Sequence, residues 1–471
     1  MNACARAIVR RISEPGWRNI ALLSIVVIGT WLRFRNLSAD SIWLDEAESW
    51  RQSKGSLADL ISATAEDNYP PLHNLILFAF MKLSGTDTEW VLRMPSALLG
   101  VGNIVAIYWL GALIGGRIAG VLAAAVLATS GFHIDYSQEA RMYALLALAA
   151  TLYAAATFFF LKSPNYARTA LLVVCGLALV YSHPFGTLNW IAIAIPVSAN
   201  ILLASDLRCR ALYPWMIANA MMAFGYLPWA FILLERALAV GGQFWAPYPS
   251  PEVIYWELYS LVGGGLGAAA LLIGAIVALR SNFSASVVLL CWAVAPVGLA
   301  LTLSLVSTPI FIDRYFIGSL PALFTLAALG GAHLLSHRKW PTTVGAAAVL
   351  AATIVGNLGY VPDRHDDWRA VAAYLQDNLQ KSDCVLVYPA FNIVPLRYYL
   401  RGEFCTILPT SVGNIDRQVI QAARTFVVLS HDQISENRIA AANRIRATMN
   451  SYGREEEHFD ALGIATIEYQ R

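Results

Sequence analysis

Three carboxylates, Asp45, Glu46 and Glu48, follow closely on the first long apolar segment of the sequence. Ionisable groups at a membrane border are costly and therefore mark functional sites by default. In a helix, Asp45 and Glu46 would diverge by about 100°, so one can face a cavity while the other binds a neighbour. Asp45 and Glu48, three residues apart, would share a face. Such a carboxylate suits a general base that deprotonates a hydroxyl group, whereas the alternative is a solvated loop with ordinary surface acids.

Three arginines are candidates for binding an anionic group. Arg141, Arg314 and, more weakly, Arg33 suit a phosphate, because guanidinium matches phosphate oxygens and stays charged. For Arg314 the alternative is an ion pair with the neighbouring Asp313.

Further polar residues are candidates for supporting roles: Asp135, Glu139, Tyr143, His73, His183 and Tyr315. Each also has a plain structural explanation. Asp135, Glu139 and Arg141 can form an ordinary network at a helix start, and His183, before a proline, can cap a turn. His73 can be a satisfied interfacial histidine.

Composition indicates a polytopic membrane protein. The chain has 471 residues, of which 57% are hydrophobic and only 14% charged, and its mean hydropathy is +0.54. A soluble protein of this size would carry nearer a quarter charged residues. Lys and Arg are scattered through loops, so no nucleic-acid partner is indicated.

Apolar runs of bilayer length and the positions of basic residues predict the topology. The segment Pro71–Leu83 is too short to cross and is expected to be interfacial. The amino terminus is interpreted as cytoplasmic and the first span as uncleaved, because no small-residue cleavage site follows it. Eleven spans then place Asp363–Arg471 outside. The spans are expected at residues 19–34, 94–114, 117–133, 142–161, 169–182, 185–204, 212–234, 258–279, 285–306, 315–335 and 341–359.

The external segment alternates helical and strand-like stretches, which predicts a small α/β domain. Cys384 and Cys405 both lie in it, where an oxidising compartment would permit a disulfide. No Cys/His spacing resembles a zinc site.

This topology gathers the unusual polar residues on the external face. A transporter would usually carry its key polar groups near the bilayer midplane. Polar groups at one interface instead favour an active site at the outer membrane surface. Aromatic residues of the fourth external loop, among them Phe244, Trp245, Tyr248, Tyr255 and Trp256, suit a sugar face or a lipid tail. The alternative for them is an interfacial aromatic belt.

Several motifs along the chain are similar to those of a known family. The sequence resembles the protein O-mannosyltransferase-like branch of the C-type glycosyltransferase (GT-C) superfamily, with the aminoarabinose transferases as more distant relatives. The motifs are Trp43-Leu44-Asp45-Glu46, Tyr69-Pro70-Pro71-Leu72-His73, Arg93-Met94-Pro95-Ser96, Glu139-Ala140-Arg141-Met142-Tyr143, Arg314-Tyr315-Phe316, Asp367-Trp368-Arg369 and Pro395-Leu396-Arg397-Tyr398-Tyr399.

The resemblance implies an α-helical polytopic membrane glycosyltransferase with the GT-C fold in residues 1–360 and a small periplasmic α/β domain in 361–471. It implies a polyprenyl-phosphate sugar donor and an envelope lipid, glycan or protein acceptor, in a bacterial inner membrane. Asp45 would be the catalytic base, supported by Glu46 and by the loop of Asp135 and Glu139. Arg141 and Arg314 would contact the donor phosphate. No cofactor is expected to be required, although Asp45, Glu46 and Asp135 could hold Mg²⁺ or Mn²⁺.

Two other functions stay open at this stage. One is a polysaccharide polymerase or ligase that uses a lipid-diphosphate donor. The other is a lipid-sugar transporter or flippase that makes no glycosidic bond.

Overall fold

The chain forms two compact units in its computed structural model. The first comprises Met1–Arg35, Gly55–Thr86 and Val91–Pro362, and the second comprises Asn36–Lys54, Asp87–Trp90 and Asp363–Arg471. Besides the expected carboxyl-terminal domain, the second unit thus takes in two short segments from the first ninety residues of the chain. The structure describes residues 16–67, 69–240, 246–336, 348, 351–352, 354–356, 360, 362, 365–402, 405–407, 422–430 and 436–471.

The first unit is helical, as a bilayer requires, because only internal hydrogen bonds can satisfy the backbone in hydrocarbon. Among the described residues, six of its helices are long and apolar enough to cross a membrane. The chain is therefore a multi-pass membrane protein. Its helices are α1 Gly16–Phe34, α3 Leu57–Glu66, α4 Leu72–Ser84, α5 Glu89–Thr129, α6 Gly131–Asp135, α7 Tyr143–Lys162, α8 Tyr166–Val180, α9 Pro184–Leu203, α10 Ser205–Val240, α11 Pro251–Val262, α12 Gly264–Ser281, α13 Phe283–Val306 and α14 Leu320–Ser336.

Helix α5 contains the span predicted at residues 94–114 and most of the span predicted at 117–133, which ends within α6. Gly116 interrupts it with a φ of 81°, a backbone conformation that favours glycine. The two parts then approach closely, since a Cβ added to Gly120 would lie 2.5 Å from the Tyr108 carbonyl oxygen. The glycines therefore turn one apolar run into two packed segments.

Two predicted spans begin differently in the structure. The span expected at 258–279 is divided into α11 and α12, because Gly263 and Gly264 adopt φ values of 72° and 77°. The span expected at 315–335 starts later, at Leu320, and follows a 3₁₀ helix at Asp313–Gly318. The expected span at 341–359 lies largely outside the described residues, so the count of eleven spans stays a prediction.

The second unit is built around a mixed sheet of five described strands, in the order β2-β1-β3-β5-β4. The strands are β1 Cys384–Tyr388, β2 Cys405–Ile407, β3 Arg424–Ser430, β4 Arg454–Ala461 and β5 Ile464–Gln470. Strands β2, β1 and β3 are parallel, and β5 and β4 continue the sheet in antiparallel pairing. Cys384 is disulfide-bonded and pairs in register with Cys405; the Cys405 side chain lies outside the described residues.

Four helices complete the described part of this unit: α2 Leu44–Gln52, α15 Trp368–Asn378, α16 Ile393–Tyr399 and α17 Glu436–Tyr452. Asp367 caps α15 by accepting a hydrogen bond from the Ala370 N–H at 3.1 Å. Trp368, Leu386 and Phe426 are fully buried between the helices and the sheet. The expected α/β character of this region is thus confirmed.

Candidate active site

Helix α2 carries the three carboxylates Asp45, Glu46 and Glu48. Asp45 and Glu46 lie in its first turn, where the partial positive charge of a helix start stabilises a carboxylate. Glu46 is fully buried and Asp45 is half-buried. Glu48 accepts hydrogen bonds from Arg51 and from Gln52, the latter at 3.1 Å. The two neighbouring acids thus differ in burial, and Glu48 belongs to an ion pair.

In the first unit, a ring of aromatic side chains surrounds two arginines. The Cζ atom of Arg141 lies 5.2 Å from the centre of the Tyr69 ring and 6.0 Å from that of Tyr143. The Cζ atom of Arg314 also lies 6.0 Å from the Tyr143 ring. Arg141 is 4% exposed. Two guanidinium groups therefore share one aromatic neighbour, although 172 residues of sequence separate them.

Tyr69 and Tyr315, two of the aromatic residues around these arginines, also contact each other. Their phenol oxygens lie 3.2 Å apart, within hydrogen-bonding distance. The His183 ring packs between aromatic neighbours, with its centre 5.0 Å from Tyr315 and 5.6 Å from Tyr69. The structure thus brings together Arg141, Tyr143, His183, Arg314 and Tyr315, all of them candidates from the sequence. We call these residues with Tyr69 the arginine–tyrosine cluster.

His183 has a defined proton arrangement in this cluster. Its Nδ1 accepts the Phe185 backbone N–H at 3.0 Å and so caps α9. Burial and the nearby charges of Arg141 and Arg314 lower the pKa of His183 to about 3. A neutral ring that accepts at Nδ1 carries its proton on Nε2. This buried N–H has no hydrogen-bond partner among the described residues.

His73 lies in the first turn of α4 and is 1% exposed. Burial, followed by the charge of Arg141, lowers the pKa of His73 to about 3. It is therefore neutral at physiological pH. Arg141 of the arginine–tyrosine cluster is therefore close enough to His73 to lower its pKa.

An acidic group on α11 was missed in the sequence. Glu257 accepts a hydrogen bond from the Asp313 backbone N–H, and the Ser260 hydroxyl donates to Asp313 at 2.8 Å. The backbone N–H of Arg314 in turn donates to the Asp313 carboxylate at 2.5 Å. Burial and Asp313 raise the pKa of Glu257 above its ordinary value. The sequence signal that could have found Glu257 is its position directly after the aromatic pair Tyr255-Trp256.

Asp135 is the last residue of α6, and Glu139 lies between α6 and α7, which begins at Tyr143. Asp135 accepts a hydrogen bond from the Tyr360 hydroxyl at 2.8 Å. Glu139 is 7% exposed. Burial raises the pKa of Tyr136 well above its usual value, and Asp313 and Glu139 add to the shift. Glu139 therefore acts on the same tyrosine as Asp313 and Arg314.

Arg33 lies in a different environment. It is fully buried, and it donates to the Leu127 and Ala128 carbonyls at 3.1 and 3.2 Å and to His133 Nδ1 at 2.9 Å. The side-chain amide of Asn103 lies 3.0 Å from His133 Nε2. Because Nδ1 accepts from Arg33, Nε2 carries the proton, and a hydrogen bond to Asn103 then requires the amide to present its oxygen. These contacts tie α1 to the end of α5 and to α6.

Among the described residues, no group of three or more His, Cys, Asp or Glu side chains is arranged to hold a metal ion. The Mg²⁺ or Mn²⁺ option at Asp45 and Asp135 therefore stays a prediction. The aromatic candidates Phe244 and Trp245 lie outside the described residues.

The helical membrane architecture, together with the small mixed sheet, gives this chain the fold of the C-type glycosyltransferases. The model of the dolichyl-phosphate-mannose-protein mannosyltransferase family matches residues 68–231. This segment contains Tyr69, Arg141 and His183. A comparison with curated protein sequences gives no significant match.

Solved structures with the same fold cover nearly all of the chain. Apo ArnT from Cupriavidus metallidurans is similar with a TM-score of 0.64 at 13% identity, over 96% of this chain and 98% of ArnT. ArnT bound to undecaprenyl phosphate gives a TM-score of 0.62 at 14% identity, over 97% and 98%. The oligosaccharyltransferase AglB from Archaeoglobus fulgidus, in complex with an inhibitory peptide and a dolichol-phosphate, gives 0.53 at 11% identity, over 96% and 74%. The predicted resemblance and fold class are confirmed.

Proposed function

We propose that this protein is an integral-membrane glycosyltransferase that moves a sugar from a polyprenyl-phosphate donor to an acceptor of the cell envelope. The observation that carries the proposal is the arginine–tyrosine cluster. Two guanidinium groups, Arg141 and Arg314, lie beside a neutral His183 that presents a buried N–H. Cations and neutral donors in a buried, aromatic setting suit a phosphate group.

The reaction would use the groups in separate roles. Arg141, Arg314 and the Nε2–H of His183 hold the donor phosphate, and the aromatic rings exclude water. Asp45 takes the proton of the acceptor hydroxyl as its oxygen attacks the anomeric carbon. The bond from that carbon to the phosphate oxygen breaks, and polyprenyl phosphate leaves as an anion stabilised by the arginines. Glu46, Asp135 and Glu139 support the charged groups.

The ligands of two solved structures with this fold support the donor class. ArnT binds undecaprenyl phosphate in one of them, and AglB is in complex with a dolichol-phosphate in the other. Both ligands are polyprenyl-type phosphates, so the proposed donor of this chain carries a monophosphate. The proposed site of action is the periplasmic face of a bacterial inner membrane, where the polar loops predicted from the positive-inside pattern lie.

The proposal is tested by measuring sugar transfer with the purified protein in nanodiscs. Polyprenyl-monophosphate and polyprenyl-diphosphate sugars are offered separately as donors, and an envelope extract serves as acceptor. We expect transfer from the monophosphate donor alone, and we expect Asp45→Asn to lower it by at least about a hundredfold, because a general base contributes roughly 10²–10⁴-fold. Glu48→Gln is the matched control, since Glu48 is held by Arg51. Transfer from the diphosphate alone would favour a polymerase or ligase. Sugar-lipid movement without a new glycosidic bond would favour a flippase.

A further inference from the structure

The helix that carries Asp45 is part of the same compact unit as the carboxyl-terminal domain. Residues 36–54 and 87–90 join residues 363–471 in the second unit. We call residues 36–54 the carboxylate arm, because they contain α2 with Asp45 and Glu46. The contacts that fix the arm come from the motifs Asp367-Trp368-Arg369 and Pro395–Tyr399 and from His365 and Arg401 beside them.

Arg369, in the first turn of α15, binds the entry of the arm. Its guanidinium donates to the carbonyl oxygens of Ser38 at 3.0 Å, Ala39 at 3.2 Å and Asp40 at 3.1 Å. The same group donates to both carboxylate oxygens of Glu89, at 3.1 and 2.6 Å. The planar guanidinium reaches these acceptors from all three of its nitrogens, and the two hydrogens of Nη2 are shared among Ser38, Asp40 and Glu89. A lysine, with one nitrogen, cannot reproduce this arrangement.

Tyr399, at the end of α16, binds the next residues of the arm. The Ile42 backbone N–H donates to its phenol oxygen at 2.6 Å. The phenol in turn donates to Glu89. Burial and the bond to Glu89 raise the pKa of Tyr399 to about 12, so the phenol keeps the proton that it donates. Glu89 thus accepts from both Tyr399 and Arg369.

The residues between Ile42 and Asp45 are held as well. The Trp43 ring stacks on His365 with ring centres 4.2 Å apart and planes 3° from parallel. Trp43 is the N-cap residue of α2. Because only Leu44 separates it from Asp45, the stacked ring fixes the point at which the carboxylate helix begins.

The far end of α2 is anchored through Asp87. The Trp50 indole N–H donates to the Asp87 carboxylate at 2.9 Å, and Arg401 forms an ion pair with it at 2.7 Å. The Tyr398 hydroxyl donates to the Asp87 carbonyl oxygen at 2.7 Å. Both ends of the helix are therefore bonded to the carboxyl-terminal domain.

From these contacts we infer that the carboxyl-terminal domain positions the catalytic carboxylate, with Tyr399 and Arg369 as the positioning residues for Asp45. The inference rests on the proposed role of Asp45 as the base. A displacement of a reacting group by about 1 Å can cost roughly a hundredfold in rate. The domain is thus required for the chemical step.

Tyr399→Phe tests the inference, because it removes the hydrogen bonds of the phenol with Ser41, Ile42 and Glu89 and keeps the ring. Tyr374→Phe is the matched control, since the Tyr374 hydroxyl bonds Glu457 in β4 at 3.0 Å, in the same unit and away from the carboxylate arm. We expect Tyr399→Phe to lower kcat by about ten- to a hundredfold with little change in the donor KM. Hydrogen exchange in peptides that cover residues 40–50 should become faster. The control should change neither quantity.

Glu89→Gln provides a second variant should Tyr399→Phe not fold, because it weakens the shared acceptor and leaves the domain core intact. Unchanged exchange in residues 40–50, or faster exchange with an unchanged kcat, would overturn the inference. Asp45→Asn separates the two proposals. An inactive Asp45→Asn with a fully active Tyr399→Phe overturns the positioning role alone, whereas a fully active Asp45→Asn removes the base and the positioning role with it.

Discussion

The phenol oxygens of Tyr69 and Tyr315 lie 3.2 Å apart, although 246 residues of sequence separate them. Tyr69 precedes the Pro70-Pro71 pair that leads into α4, and Tyr315 lies in the 3₁₀ helix at Asp313–Gly318. One hydroxyl donates to the other, and Arg141 lies over the Tyr69 ring. The pair therefore links two distant segments at the place where the proposed donor phosphate binds.

A double-mutant cycle on this pair tests the link. Tyr69→Phe and Tyr315→Phe each remove the same hydrogen bond and keep both rings. We expect each to lower thermal stability by about 1 kcal/mol, and we expect the double variant to be only slightly worse than either, because the shared bond can be lost once. Melting temperatures in detergent measure the cycle. Fully additive losses would show that the two hydroxyls do not interact.

Two substitutions at His183 distinguish its role as the cap of α9 from the role of its buried Nε2–H. Asn can still accept the Phe185 N–H and cap α9, but it cannot replace the Nε2–H that faces the cluster. We expect His183→Asn to keep the wild-type melting temperature and to raise the donor KM about tenfold or more, because a hydrogen bond to a charged group contributes about 1.5 kcal/mol or more. Steady-state kinetics with varied donor measures this change.

His183→Ala is the companion variant, because it loses both functions. It should show the same rise in donor KM and, in addition, a loss of about 1 kcal/mol in stability from the missing cap. A wild-type donor KM in His183→Asn would mean that the histidine serves only to cap the helix, which is the plain structural explanation available from the sequence.

Local patterns in the sequence predict individual elements well. Helix α4 is expected at Pro71–Leu83 and is found at Leu72–Ser84, because the prolines fix its start and Gly85 adopts the left-handed φ of 68° that ends it. Strand β4 is missed. Its sequence, Arg454–Ala461, is almost entirely polar and exposed, as suits an edge strand protected by charge, so it lacks the apolar alternation that marks a strand.

Contacts between distant residues are what the sequence could not supply. Glu257 was passed over because its partner Asp313 lies 56 residues away, and nothing in the local pattern joins them. The guanidinium group alone made Arg33 a weaker candidate for the donor phosphate, and the local pattern did not predict its bonds to carbonyls about a hundred residues further on. Local periodicity determines which face of a helix is polar, but tertiary packing determines which groups meet.

Arg33→Lys tests whether this arginine supports the fold or binds the donor. A lysine offers one nitrogen and cannot serve the Leu127 and Ala128 carbonyls and His133 together. We expect a loss of about 2 kcal/mol in stability, as for lost hydrogen bonds from a charged group, with an unchanged donor KM. Arg35→Lys is the control, since Arg35 is exposed and lies over Trp31. A raised donor KM at full stability would instead support the predicted role at the phosphate.

The pair formed by Glu257 and Asp313 predicts a pH dependence of stability. Burial and the nearby Asp313 carboxylate raise the pKa of Glu257 in the folded protein above its ordinary value of 4.5, despite the opposing charge of Arg314. Below pH 4.5 the group is protonated in both states. As the pH rises, the unfolded chain releases the proton first, so the contribution of Glu257 to stability is lost as the pH approaches and passes the raised value.

Glu257→Gln isolates this effect, because the amide oxygen can still accept the Asp313 N–H and the side chain no longer titrates. We expect the variant and the wild type to melt at similar temperatures near about pH 4.5, and we expect the variant to be increasingly more stable toward about pH 8. Glu252→Gln, earlier in the same helix on an exposed position, is the control and should show no such trend. Parallel melting curves for Glu257→Gln and wild type across this range would contradict a raised pKa at Glu257.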